Sequence, residues 1–263
     1  MRVLAIIRNT FRENVRDKIL YNLILFALIM IAISIALGNL TLGHENKVII
    51  DLGLSCISIF GTLIAIFVGV SLVSKELEKR TIYAILAKPV RRWEFILGKY
   101  LGLLLTLFVN LVIMSAGLML ALLYEGGTSL MGYVWLLPAI YLISLSMAVT
   151  TAVAMTFSTF STPTLSTLFT FFFWVIGHFN ADLLQFGKLT ESWLLGGICQ
   201  ILYYALPNVS NFESINSRNI ISSAAYYQPI DLVAVAWASL YGVLYCGILL
   251  GISLSIFSRR DFK

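Results

Sequence analysis

Charge is what this sequence has least of. Only 12% of its 263 residues are Asp, Glu, Lys or Arg, against roughly 25% in a soluble domain. With 59% hydrophobic residues and a mean hydropathy of +0.92, the chain lacks the polar surface to stay in water. Between residues 100 and 181 the sole formally charged side chain is Glu125. A buried charge inside a membrane usually marks an ion or proton path, so this gap argues against an ion-coupled carrier built on internal carboxylates. Cysteine is scarce too: Cys56, Cys199 and Cys246 form neither a metal spacing nor a disulfide framework. His44-Glu45 has no second histidine three residues on, so it is no zinc-protease motif, and no Gly-x-Ser-x-Gly nucleophile turn occurs. A phosphate loop needs a glycine five residues before Gly-Lys, because backbone amides there cradle the phosphates. The two Gly-Lys pairs, at 98–99 and 187–188, have Trp93 and Asp182 in that place. No catalytic residue and no metal ligand set is therefore expected, and a nucleotide that drives this protein is bound by another chain.

What the chain does have is long apolar runs, several beyond the ~18 residues that mark a membrane helix. The expected class is an all-α polytopic membrane protein, a single transmembrane domain over 1–263. Six spans are expected at 20–37, 52–73, 100–124, 133–157, 165–179 and 230–257, the fifth the shortest and most aromatic. Residues 1–18 are amphipathic. Val3, Ile7, Phe11, Val15 and Ile19 recur every four residues, with Arg8, Arg12 and Arg16 on a parallel stripe. That pattern predicts a helix in the membrane interface, apolar side down, its arginines reaching lipid phosphates. No cleavable leader is expected, since charges run through residue 18 and no small-residue cleavage site follows the first apolar run.

The net charge of +5 is explained by placement rather than by a nucleic-acid partner. Fifteen of the 18 lysines and arginines fall in 1–18, 74–99 and the tail after 257. By the positive-inside rule both termini and the 74–99 segment are cytoplasmic. The 180–229 loop is then external; it reads equally as a partner platform or as a packing segment. Asn110, Ser115, Ser144, Ser146, Thr150 and Thr151 are neutral and are assigned to helix packing ahead of a substrate path. In the sixth span Gly242, Gly247 and Gly251 recur, the last two as GxxxG, a spacing that lets helices approach closely within one chain or between two.

The charged segment 74–99, SKELEKRTIYAILAKPVRRWEFILGK, lies between two nearly uncharged runs. Residues 75–87 are rich in helix formers, with Ile82, Ile85 and Leu86 on one face and Glu76 and Arg80 spaced to pair. Pro89 ends that helix, because the residue before a proline avoids helical angles. A second short helix from about Arg92 leads into the third span. The product is a helix–proline–helix elbow at the cytoplasmic surface, suited to docking a soluble partner.

Residues 76–99, E-x-E-x-x-T-I-x-x-I-L-A-K-P-V-x-R-x-x-F-I-L-G-K, resemble the cytoplasmic loop of ABC-2-type permeases, the membrane subunits of ABC exporters. The closest subgroup includes the permease of nitrous-oxide-reductase maturation, whose opening helix the N-terminal IIRNTFRENVRDKIL also resembles. Arg80 stands where the family often has glycine, and Arg91 where it often has serine. That serine would be a natural N-cap, so the second elbow helix either loses the cap or finds another.

The resemblance implies a non-enzymatic permease subunit of an ATP-driven exporter in a bacterial or archaeal cytoplasmic membrane. It implies two permease chains, homo- or heterodimeric, over two copies of an ATPase subunit, with ATP and magnesium held by the ATPase and no cofactor on this chain. Glu76, Glu78, Arg80, Thr81, Lys88, Pro89, Val90, Arg91 and Arg92 are then the ATPase-coupling residues. Membrane lipid and a possible external partner on 180–229 complete the expected contacts. The alternative from a different class is a membrane scaffold, or a subunit that transmits force without moving a solute.

Overall fold

The computed structural model describes residues 2–41, 44–78, 91–126, 130–179, 186–187, 189, 193–205, 212, 214–215, 218–219 and 232–259. Its helices are α1 (Arg2–Asn14), α2 (Lys18–Gly38), α3 (Glu45–Glu78), α4 (Arg92–Tyr124), α5 (Leu130–Ser158), α6 (Pro163–His178), α7 (Trp193–Ala205) and α8 (Leu232–Arg259). A minimal antiparallel pairing of Ser214–Ile215 with Arg218–Asn219 is the only strand structure among the described residues.

Local chemistry sets several helix ends. Asp17 caps α2, its carboxylate accepting from the Ile19 amide at 3.0 Å. Pro163 opens α6 at the first helical position, where its missing N–H costs nothing.

Among the described residues five helices are long and apolar enough to cross a membrane: Lys18–Gly38, Glu45–Ser71, Arg92–Tyr124, Leu136–Ser158 and Val233–Ser258. The segment expected as the fifth span is α6. It has 16 residues, about 24 Å at 1.5 Å per residue, against a hydrocarbon core of about 30 Å. Length and composition thus support five crossings among the described residues and do not by themselves establish a sixth at α6. The second elbow helix expected from about Arg92 does begin there, but it is continuous with the third span: α4 runs unbroken for 33 residues.

In lipid there is little hydrophobic drive between helices, so close approach and hydrogen bonds hold them together. α3 and α5 form the centre, while α2 and α8 lie at the edges. Glycines on α3 allow this. A β-carbon on Gly53 would sit 2.3 Å from Leu118 of α4, and one on Gly69 would sit 3.0 Å from Ala154 of α5. Hydrogen bonds tie neighbours: Tyr100 Oη donates to the Ala148 carbonyl at 3.1 Å, the Tyr141 and Ser239 hydroxyls pair at 2.9 Å, and Thr156 reaches the Leu249 carbonyl at 3.3 Å.

Several of the neutral polar residues bond within their own helix. Ser144, Thr150 and Thr151 donate to the carbonyls of Tyr141, Ser146 and Met147. Asn110 Nδ2, Ser115 Oγ and Ser146 Oγ are buried without a hydrogen-bond partner among the described residues.

Candidate functional site

The base of the elbow gathers three helices at one end of the bundle. Glu76 and Glu78 fall on the last turns of the α3 backbone. Arg80, Thr81, Lys88, Pro89 and Val90 lie outside the described residues. Arg91 and Arg92 are described and stand at the start of α4.

Arg91 occupies the N-cap position but carries only donors, so it cannot receive a helix amide. The Glu94 carboxylate instead accepts from the Arg91 N–H at 3.0 Å, the return half of a capping box. The helix keeps its start without a serine.

One residue on, the Arg92 guanidinium donates to the Ser258 carbonyl. That carbonyl is at the C-terminal end of α8, where helix carbonyls are unsatisfied and a cation is favoured. Directly above, Phe95 stacks on Phe257 with centroids 5.9 Å apart and an interplanar angle of 17°. Both rings are buried. Arg92 and Phe95 therefore clasp the end of α8 to the start of α4.

An adjoining face of α4, a turn further along the helix, receives α1. Gly98 and Gly102 form the groove: a β-carbon on Gly98 would lie 2.8 Å from Ile6, and one on Gly102 would lie 2.6 Å from Thr10 and 3.0 Å from the Ile7 carbonyl. Asn14 Nδ2 donates to Thr106 Oγ1 at 3.1 Å, and that hydroxyl donates to the Gly102 carbonyl at 3.0 Å. Lys99 is 2% exposed, its Nζ 3.5 Å from Glu13 Oε2 and 5.8 Å from the Phe95 centroid.

The face of α1 against α4 is thus Ile6, Thr10 and Asn14, one position round from the apolar stripe read in the sequence. Thr10 and Asn14 are buried. Val3, Ile7, Phe11 and Val15 are half-buried, Leu4 is exposed, and Arg8, Arg12 and Arg16 are all exposed.

Sequence reasoning passed over Gly102, Glu13 and Phe257, and took Phe95, Gly98 and Lys99 only as letters of the 76–99 motif, without a packing role. A signal for the glycines was present, since Gly98-x-x-x-Gly102 is itself a small-xxx-small spacing. The GxxxG that was singled out behaves differently. Gly242 packs on Leu145, whose Cγ would be 2.8 Å from an added β-carbon, whereas nothing lies within 4 Å of one on Gly247 or Gly251.

In the first half of α8, at Tyr241, the expected external loop makes an anchored contact. Phe212 is buried, 1% exposed, and its ring lies 6.0 Å from that of Tyr241. Between α4 and α5 a cavity of about 210 Å³ is walled by Leu104, Leu107, Phe108, Leu111, Leu145, Met147, Ala148 and Ser144. It has no charged lining residue.

Residues 4–262 match a family model described as ABC-2 family transporter protein. A search of curated proteins finds no match.

Proposed function

The chain belongs to the ABC-2 transporter family, and on that membership we propose that it is the permease subunit of an ATP-driven exporter whose ATPase is a separate chain docking on the 74–99 elbow. The observation that carries the mechanism is the continuity of α4 from Arg92, with its first turns fixed to α8 and α1. A push on the elbow enters a helix that is already part of the bundle. In this reading Glu76 and Glu78 meet basic ATPase residues, and Arg80, Thr81, Lys88, Val90, Arg91 and Arg92 complete the contact around a bend set by Pro89. Two ATPase subunits serve two permease chains, with ATP and magnesium on the ATPase. α1 floats in the cytoplasmic interface of a bacterial or archaeal membrane, and Arg8, Arg12 and Arg16 contact lipid phosphates. α6 completes six crossings with bilayer adjustment to its short length, which keeps both termini cytoplasmic. The nitrous-oxide-reductase maturation subgroup is the narrower assignment we favour. Affinity purification from the native membrane in mild detergent tests the core of this: a near-stoichiometric ATPase with a phosphate loop is expected, and its absence after crosslinking through 74–99 would overturn the permease reading.

A force-transmitting role without solute movement has one observation in its favour. α8 is held by Phe212 in its first half, at Tyr241, and by Arg92 and Phe95 at its C-terminal end. That gives a mechanical path between the external segment and the elbow. An outer protein recovered with this chain, and lost on Phe212→Ala, would support it.

The α8 glycines separate packing within the chain from packing between chains. Gly242→Leu should lower stability by about 1–3 kcal/mol through overpacking against Leu145. Gly247→Leu with Gly251→Leu should leave thermal unfolding of the chain unchanged, because open space surrounds both sites. If the second permease chain packs there, the same pair converts a dimer to a monomer in light scattering; an unchanged dimer places the contact elsewhere.

A further inference from the structure

A helix face that carries large apolar side chains at every contact position normally closes on its neighbour. Leu104, Leu107, Phe108 and Leu111 recur along one face of α4 at the i, i+3, i+4, i+7 spacing, yet a gap of about 210 Å³ lies between them and α5. Its origin is on α5. Ser144 and Ala148 are the small side chains that line the gap from that side. The larger Leu145 is seated on Gly242 of α8, and Met147 Cε fills the notch at Gly61 of α3. α5 commits its bulk to α3 and α8 and leaves α4 short of contact.

The gap has the chemistry of hydrocarbon. Ser144 is its one polar lining residue, and that hydroxyl already donates to the Tyr141 carbonyl at 2.6 Å. A buried water needs several polar partners, and an apolar cavity of about 150 Å³ stays dry and takes an apolar guest. The hydrogen bond from Tyr100 to the Ala148 carbonyl closes the elbow end of the gap. Phe108 stands at its rim and is 60% exposed, in line with the outward-facing Leu101, Leu105 and Val112. On a membrane-spanning helix such a face meets lipid tails, which are as apolar as leucine. The gap is therefore continuous with the lipid-contact surface. Counted from Tyr100, where the uncharged run begins, residues 104–111 lie about 6–17 Å into the apolar slab. Most of that stretch is in the half nearer the elbow.

We propose that this gap is a binding site for one acyl chain of a membrane lipid, taken sideways from the leaflet on the elbow side and held between α4 and α5. A lipid chain already surrounds the rim, carries no polar group at that depth, and suits a lining that extends for about 10 Å along α4. It supplies α4 with the contact that α5 withholds. Met147 is unbranched and flexible, so the wall can adapt to the guest. The site goes beyond the permease reading and does not depend on it.

The test places the full chain in phosphatidylcholine nanodiscs in which a minority of the lipid carries a diazirine near the middle of one acyl chain. After irradiation, labelled residues are mapped by mass spectrometry. Label is expected on Leu107, Leu111 and Met147, all buried, as well as on the exposed Leu105 and Val112. Ser144→Leu fills the gap from α5. It should lower the label on Leu107 and Met147 by about tenfold, the factor for displacing roughly two methylenes of buried contact, and leave Leu105 and Val112 unchanged. Ala148→Val is a smaller intrusion that should shift the same label in the same direction, and it replaces Ser144→Leu if thermal unfolding shows that variant misfolded. Label confined to Leu105 and Val112 would overturn the proposal, because the chain then stays in the surrounding lipid. Label absent from both faces would overturn it in favour of a protein covering the rim. Label on Met147 that survives filling in a folded variant would overturn it too. So would a free diazirine-bearing aromatic that labels Met147 where the lipid does not, since the gap would then take compact apolar molecules.

Discussion

Reversal of Glu76 and Glu78 to lysine should abolish recovery of the ATPase with this chain. Both residues lie on the last turns of α3, and the proposed docking surface pairs them with basic partner residues. Truncating one member of a buried, hydrogen-bonded interfacial charge pair costs about 2–5 kcal/mol. Two reversals at the lower figure give about 4 kcal/mol, roughly a thousandfold in Kd. Such a change takes a submicromolar complex out of reach of co-purification. The variant is also well controlled. Lysine and glutamate have similar helix propensity, so α3 itself should be no less stable. Loss of the ATPase with unchanged thermal unfolding would mark Glu76 and Glu78 as contact residues. Retention of the ATPase would remove them from the docking surface.

Gly102→Leu is expected to be the most damaging single change in the described part of the chain. Even an alanine there would place its β-carbon 2.6 Å from Thr10 and 3.0 Å from the Ile7 carbonyl, and a backbone carbonyl cannot swing away. Leucine adds three more carbons to the same groove. α1 must then lift from α4, breaking the Asn14–Thr106 hydrogen bond and parting Glu13 from Lys99. Overpacking alone costs about 1–3 kcal/mol, and the lost Asn14–Thr106 hydrogen bond adds to it. Gly61→Ala is the useful contrast. Its β-carbon would fall only 1.5 Å from Met147 Cε, but that is the free end of a flexible side chain, which can move aside. Thermal unfolding in detergent should therefore drop by several degrees for Gly102→Leu and little for Gly61→Ala. Tryptic cleavage at the exposed Arg8 and Arg12 should accelerate only in the former. A Gly102→Leu protein as stable and as protected as wild type would contradict the packing of α1 against α4.

The sequence showed the membrane class, the helical content and the places of the long spans, because a run of 20 apolar residues admits few other readings. It was less informative about which faces meet. In water an apolar stripe points to the core, but in a bilayer lipid is as apolar as protein, so the stripe at Val3, Ile7, Phe11 and Val15 did not locate the protein contact. Small and polar residues did: Gly98, Gly102, Thr10 and Asn14. Two GxxxG spacings occur in the chain, and only the one at 98–102 is filled by a neighbouring helix of the same chain. Spacing alone cannot distinguish them, since both permit close approach and neither names a partner. The shortness of α6 was visible as a short aromatic run, and at 1.5 Å per residue its 16 residues fall short of the hydrocarbon core, so length alone does not establish it as a crossing. Of the nine elbow residues assigned to coupling, Arg91 and Arg92 have described side-chain surroundings, and Arg92 proves to hold α8. A guanidinium on a helix end 166 residues away in sequence leaves no local pattern to read.

The length of α3 and α4 has a consequence for the medium in which any partner would meet the elbow. Residues 74–78 of α3 continue past its apolar stretch, which ends at Val73, and residues 92–99 of α4 precede the uncharged run that begins at Tyr100. At 1.5 Å per residue these extensions reach about 8–12 Å beyond the apolar slab. A headgroup layer is roughly 5–8 Å thick on each side, and the screening length in physiological salt is about 8 Å. The described ends at Glu78 and Arg92 therefore stand within one screening length of the headgroups. The surface potential of an anionic leaflet still reaches them, so lipid composition and ionic strength should both alter the electrostatics that a partner meets there.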